Sequence, residues 1–79
     1  MSEVRYAAEW IEDMDDVETD NNAISYHPTY EEAERAAFAG GRRCNVIQWC
    51  RVREQRRIDG RWQTVKKWTG DWDYLEEVT

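Results

Sequence analysis

The stretch EDMDDVETD, residues 12–20, carries six carboxylates in nine positions: Glu12, Asp13, Asp15, Asp16, Glu18 and Asp20. Calcium ligation, acid–base catalysis and docking on a basic surface all use acids at this density. An EF-hand calcium loop alternates Asp or Asn, turns on Gly at its sixth position and closes on Glu at its twelfth. Counted from Asp13, the fifth, sixth and twelfth positions are Val17, Glu18 and Ile24, so the pattern fails at three places. A linear run of acids is solvated rather than pocketed, which argues against a general acid–base pair. Docking is the chemistry left, and these six residues form the candidate partner-binding segment. Extended, the run spans about 30 Å, or one charge per about 5 Å, against one per about 1.7 Å in duplex DNA. It is a sparse imitation of a nucleic-acid strand. Glu31 and Glu34, with Asp71, Asp73, Glu76 and Glu77, would add density if folding brings them alongside.

Other reactive side chains are few. The single histidine, His27, stands beside Pro28 and reads as a turn or cap residue. The two cysteines, Cys44 and Cys50, fall in one expected strand, about 20 Å apart if extended. A disulfide needs Cα atoms within about 7 Å, so reduced thiols are expected, as in a cytoplasmic protein. One His and two Cys without paired spacing give no zinc motif. The glycines sit at a helix end and at turns, so there is no phosphate loop. No serine elbow or Cys–His pair is visible. An enzyme is not expected, nor a metal or cofactor.

At 79 residues the chain makes one domain, residues 1–79. Five Trp and four Tyr are many for this length, and each buries enough area to help hold a small core together. The formal net charge of −6 disfavours free nucleic acid and anionic membrane as main partners. No apolar run approaches the 18 or so residues of a membrane span.

The elements follow from periodicity. EVRYAAEWIE (3–12) alternates, with Val4, Tyr6, Ala8 and Trp10 on one face and Arg5, Ala7 and Glu9 on the other, as in a half-buried strand. DNN (20–22) is turn chemistry, and AISYH (23–27) returns as a second strand. PTYEEAERAAFAGG (28–41) predicts a helix over 30–39. Thr29 caps it, Glu32 completes a capping box, Tyr30, Ala33, Ala37 and Phe38 form its apolar stripe, and Gly40–Gly41 stop it. RRCNVIQWCRVREQRR (42–57) reads as a long strand with Cys44, Val46, Gln48, Cys50 and Val52 on one face. RWQTVKKWTG (61–70) pairs back onto it across IDG (58–60).

Two registers are open at that hairpin. A three-residue loop with a left-handed Gly60 places Trp62 and Trp68 with Cys50 and Val52, facing the helix. A two-residue Asp59–Gly60 turn flips both, setting Arg57 beside Trp62 and Arg51 beside Trp68. The first is preferred because it gives the helix an aromatic floor. DWDYLEEVT adds a short edge strand with Trp72 and Tyr74 on one face. The expected fold is α+β in two layers: an antiparallel sheet of four to five strands with one helix on one face, ββαββ.

Charge divides along the chain. Residues 1–38 carry eleven acids and two bases, residues 42–67 nine bases and two acids, and residues 71–79 four acids. One reading pairs them internally, an acidic N-terminal strand beside a basic hairpin, at about 0.2–1 kcal/mol per cross-strand pair. The same poles would also suit a homodimer. The sharper reading sends run 12–20 to a basic surface on another protein. The alternative is a nucleic-acid-binding accessory protein using hairpin 51–67, whose arginines are interleaved with Trp49 and Trp62.

In its size, compact α+β pattern, abundant acids including run 12–20, surplus aromatics and lack of a catalytic motif, the chain resembles the small bacteriophage anti-CRISPR proteins that inhibit type I interference complexes. The resemblance is of type, over the whole chain, and carries no residue by position. It implies stoichiometric binding to a Cas protein in the host bacterial cytoplasm, at a basic surface used for DNA. DNA binding or nuclease recruitment would then be blocked. The basic hairpin departs from a uniformly acidic DNA mimic.

Overall fold

The computed structural model describes residues 3–11, 22–42, 49–71 and 73–78. Its elements are β1 (Val4–Ile11), β2 (Asn22–His27), α1 (Tyr30–Gly41), β3 (Cys50–Ile58), β4 (Arg61–Asp71) and β5 (Tyr74–Glu77). The strands form one antiparallel sheet in the order β2-β1-β3-β4-β5, with α1 packed on one face. The class is the expected two-layer α+β. The tail supplies a fifth strand, so the chain order is ββαβββ.

Thr29, in extended backbone, accepts the Glu32 N–H on its hydroxyl at 3.3 Å and starts α1 as expected. The end of the helix differs. Gly40 and Gly41 belong to its last turn, both are buried, and the cap is Arg42 in ordinary right-handed backbone. Gly40 is there for closeness rather than for a left-handed stop. A Cβ on it would overlap the Trp10 indole of β1.

The core is built from small side chains. Ala8 of β1, Ala33 and Ala37 of α1, and Cys50 and Val52 of β3 are all 0 % exposed. Tyr6, Trp10, Tyr30, Phe38, Trp68 and Leu75 close around them. Alanines let the helix axis approach the sheet, and the aromatic rim excludes water at its borders. Cys50 is a free, buried thiol that donates to the Ala37 carbonyl at 3.1 Å. Cys44 lies outside the described residues, as do Val46 and Gln48. The expected strand 42–57 is described from Cys50 onward and continues to Ile58.

The β3–β4 hairpin follows the two-residue register near its turn and, past a bulge, gives Trp68 the facing that the three-residue loop would have given it. Asp59 and Gly60 form a two-residue turn with φ of 53° and 78°, and Arg57 pairs with Trp62. The preferred three-residue loop is therefore not the one formed, and Trp62 stands on the face away from the helix. Gln55 then pairs with Thr64 and Glu54 with Lys66, leaving Val65 as the extra residue of a bulge. One added residue reverses the facing of everything beyond it. Trp68 consequently pairs with Val52 and faces the helix, where its ring meets Tyr30 at 4.7 Å between centroids. A rigid strand would have sent both tryptophans to one side.

Candidate functional site

All six carboxylates singled out as the partner-binding segment, Glu12, Asp13, Asp15, Asp16, Glu18 and Asp20, lie outside the described residues. The described acids still answer part of the question that the segment raised. Each arginine of β3 meets a carboxylate: Arg51 and Arg53 at Glu9 and Arg57 at Glu3, outside the strand, and Arg56 at Glu54 within it. The first strand and the basic hairpin do neutralise one another within one sheet, through Glu3 and Glu9.

The face of the sheet opposite α1 holds the most organised polar geometry. Strand alternation puts Arg5, Ala7 and Glu9 of β1 there, with Tyr26 of β2, Arg51, Arg53, Gln55 and Arg57 of β3, and Trp62, Thr64 and Lys67 of β4. Glu9 is at its centre. Its carboxylate accepts from Arg51 Nε at 2.7 Å and Arg51 Nη2 at 2.8 Å, and from Arg53 Nε at 2.9 Å. The Glu9 side chain is only 7 % exposed, while those of Arg51 and Arg53 are 29 % and 24 % exposed. The anion is thus underneath and the two cations are on top. Hydrogen bonding to Glu9 raises the Arg51 pKa against the opposing effect of burial. The bidentate contact fixes the guanidinium plane as well as its position.

A third arginine is held differently. The Arg5 guanidinium carbon lies 3.9 Å from the Tyr26 ring centroid and 4.1 Å from the Trp62 ring centroid. It fills a slot one planar group thick between rings from β2 and β4. Arg5 Nε donates to Gln55 Oε1 at 2.8 Å, and Gln55 Nε2 reaches Thr64 Oγ1 at 3.4 Å. Arg53 Nη1 contacts the same hydroxyl at 3.4 Å. Arg51 also lies 5.3 Å from the Trp49 ring centroid. Four strands therefore contribute to one connected layer of arginine, amide and aromatic groups.

Of this layer, the alternation of β3 shows Arg51 and Arg53 on one face, while the preferred hairpin register put Trp62 on the other. Arg5, Glu9 and Tyr26 were not singled out, although the alternation of β1 placed Arg5 and Glu9 on one face. What was missing is the β1–β3 pairing, which sets Glu9 opposite Arg51 and Arg5 opposite Gln55. His27 has a local role, with Nε2 at 2.7 Å from Ser25 Oγ. On the outer side of the hairpin, Thr64, Val65, Lys66, Lys67 and Val78 line a shallow cleft of about 340 Å³. Among the described residues, no group of three or more His, Cys, Asp or Glu is placed to hold a metal ion. No helix among them is long and apolar enough to cross a membrane.

The fold and this face define a two-layer α+β scaffold whose sheet has one polar–aromatic surface on which no helix or strand among the described residues packs. No family model matches the chain, and neither the curated proteins nor the solved structures give a match.

Proposed function

We propose that this protein works by non-covalent binding rather than catalysis, and that the open sheet face receives an anionic partner. One observation carries the reading: Arg51 and Arg53 lie over the buried Glu9 carboxylate and keep their outer edges in solvent. Cations held this way need little reordering when a ligand arrives, which lowers the entropic cost of binding. They stand in a chain of net charge −6, and the same face carries Asp71 and Glu76 on its β4–β5 side, so the anion site is the patch around Arg51, Arg53 and Lys67 rather than the whole face. The test is retention on an immobilised sulfated polysaccharide at about 50 mM salt, a regime in which screening is weak. Wild type is expected to be retained, and Lys67→Glu, which reverses an exposed charge of this face, to elute earlier. Flow-through of the wild type would sink the reading.

A second reading makes the protein a stoichiometric inhibitor that docks run 12–20 on a basic surface of a type I CRISPR interference complex. The pairing of the four β3 arginines with Glu3, Glu9 and Glu54 supports it, because those cations each have a carboxylate among the described residues. The target comes from the resemblance of type. Asp13→Asn, Asp15→Asn and Asp16→Asn combined should leave the melting temperature unchanged and weaken inhibition, with a smaller loss at high salt. A lower melting temperature without loss of inhibition would return the run to an internal role.

A further inference from the structure

We infer that the anionic partner of the open face is single-stranded nucleic acid, stacked on Tyr26 and Trp62 and steadied by Arg51, Arg53 and Lys67. The inference rests on the open face being the working surface and adds the chemical class of its ligand.

Three features separate single strands from other anions. The first is the ring pair. Arg5 lies against Tyr26 and against Trp62, which holds both rings in place. Tyr26 is 50 % exposed although it belongs to a paired strand. A flat, immobilised, solvent-facing ring beside fixed guanidiniums suits a nucleobase, because base–aromatic stacking works for any base and gains from nearby cations.

The second is breadth. A major groove about 12 Å wide admits a helix or a two-stranded ribbon. Five strands at about 4.8 Å spacing make a face too wide to enter it. An unpaired strand can instead lie across the sheet with its bases turned down onto the rings.

The third is the polarity of the centre. A protein interface is most apolar at its core. Here the central aliphatic side chain is Ala7, which is 0 % exposed beneath its neighbours. At the centre a partner meets guanidinium, amide and ring, with Ile24, 43 % exposed, on the edge strand β2. Glu9 takes Nε and Nη2 of Arg51 and Nε of Arg53, and Thr64 takes Nη1 of Arg53; the guanidinium N–H groups beyond these are of the kind that phosphate oxygens accept from. With Glu9 beneath them and a net charge of −6 overall, long-range attraction is modest. Stacking therefore carries most of the affinity, and the salt dependence is shallower than for a fully basic site.

The experiment is fluorescence anisotropy with a labelled 12-nucleotide single strand of mixed sequence, the matching duplex and a polyglutamate peptide, on the whole chain. The single strand is expected to bind more tightly than the other two. Tyr26→Ala should weaken it roughly 5- to 150-fold, the value of one stacked base, and Tyr26→Phe should retain it. Circular dichroism melts of both variants confirm folding, and Trp62→Phe, which keeps a ring, serves as a second probe if Tyr26→Ala does not fold. Equal binding of polyglutamate and single strand, or a Tyr26→Ala variant that binds as wild type does, would overturn the inference and leave the anion-binding face standing. Failure of all three probes to bind would remove both.

Discussion

Glu9 of β1 and Arg51 of β3 face each other across the sheet, forty-two residues apart in sequence, joined by two hydrogen bonds of 2.7 and 2.8 Å. Arg53 shares the same carboxylate. Removing one partner of a fully buried pair costs about 3–5 kcal/mol. Here both arginines reach water, so the loss is smaller. Glu9→Gln is expected to cost about 1–3 kcal/mol in urea denaturation, the scale of hydrogen bonds to charged groups. A midpoint within error of wild type would show that the pair does not hold β1 to β3.

The Val65 bulge decides which tryptophan faces the helix. Deleting Val65 joins Thr64 to Lys66 and leaves Gln55–Thr64, Glu54–Lys66 and Val52–Trp68 paired as they are, so both tryptophans keep their faces. The deletion variant is therefore expected to keep the contact between Trp68 and Tyr30 and to keep its tryptophan emission. A large red shift on deletion would refute a bulge at Val65.

Gly40→Ala sets two effects against each other. Alanine favours the helix by about 1 kcal/mol over glycine. Its Cβ would overlap the Trp10 indole, and overpacking costs about 1–3 kcal/mol. The overlap is with a ring packed on the core, so it should win. A thermal melt is expected to fall, and a rise would mean that the indole moves freely.

Burial, with the charge of Asp71 adding to it, pushes the Cys50 thiol up to about 11. The folded form therefore keeps its proton longer than the unfolded form. The stability tied to this group is intact below the ordinary thiol value of 9.0 and is lost as pH rises toward about 11. Tyr6 and Tyr30 are raised too, first by burial and then by Glu54 and Glu34 respectively, and they add a slope of the same sign. The difference between wild type and Cys50→Ala isolates the thiol: wild type should lose more stability than the variant between pH 9 and pH 11. In native protein at pH 8 Cys50 should resist alkylation, while unfolded chain reacts. Rapid native alkylation of Cys50 would contradict its burial.

The sequence by itself determined what depends on neighbours along the chain. Alternation at Val4–Trp10 assigned two faces to β1. The Thr29–Glu32 box started α1 where it starts, and the small residues Ala33 and Ala37 marked the face that meets the sheet. These signals are local, because caps and periodicities act within a turn or a strand. Tertiary structure decided the rest. Gly40 reads as a stop until Trp10 of another strand is set against it. The Asp59–Gly60 turn and the Val65 bulge each reverse facing, so Trp62 and Trp68 part company for a reason that no count of alternating residues contains. The layer of Arg5, Tyr26, Trp62, Glu9, Arg51 and Arg53 exists only because β1 lies between β2 and β3. Strand order is set by which pairing buries most and satisfies the buried carboxylate, and that is a property of the whole sheet.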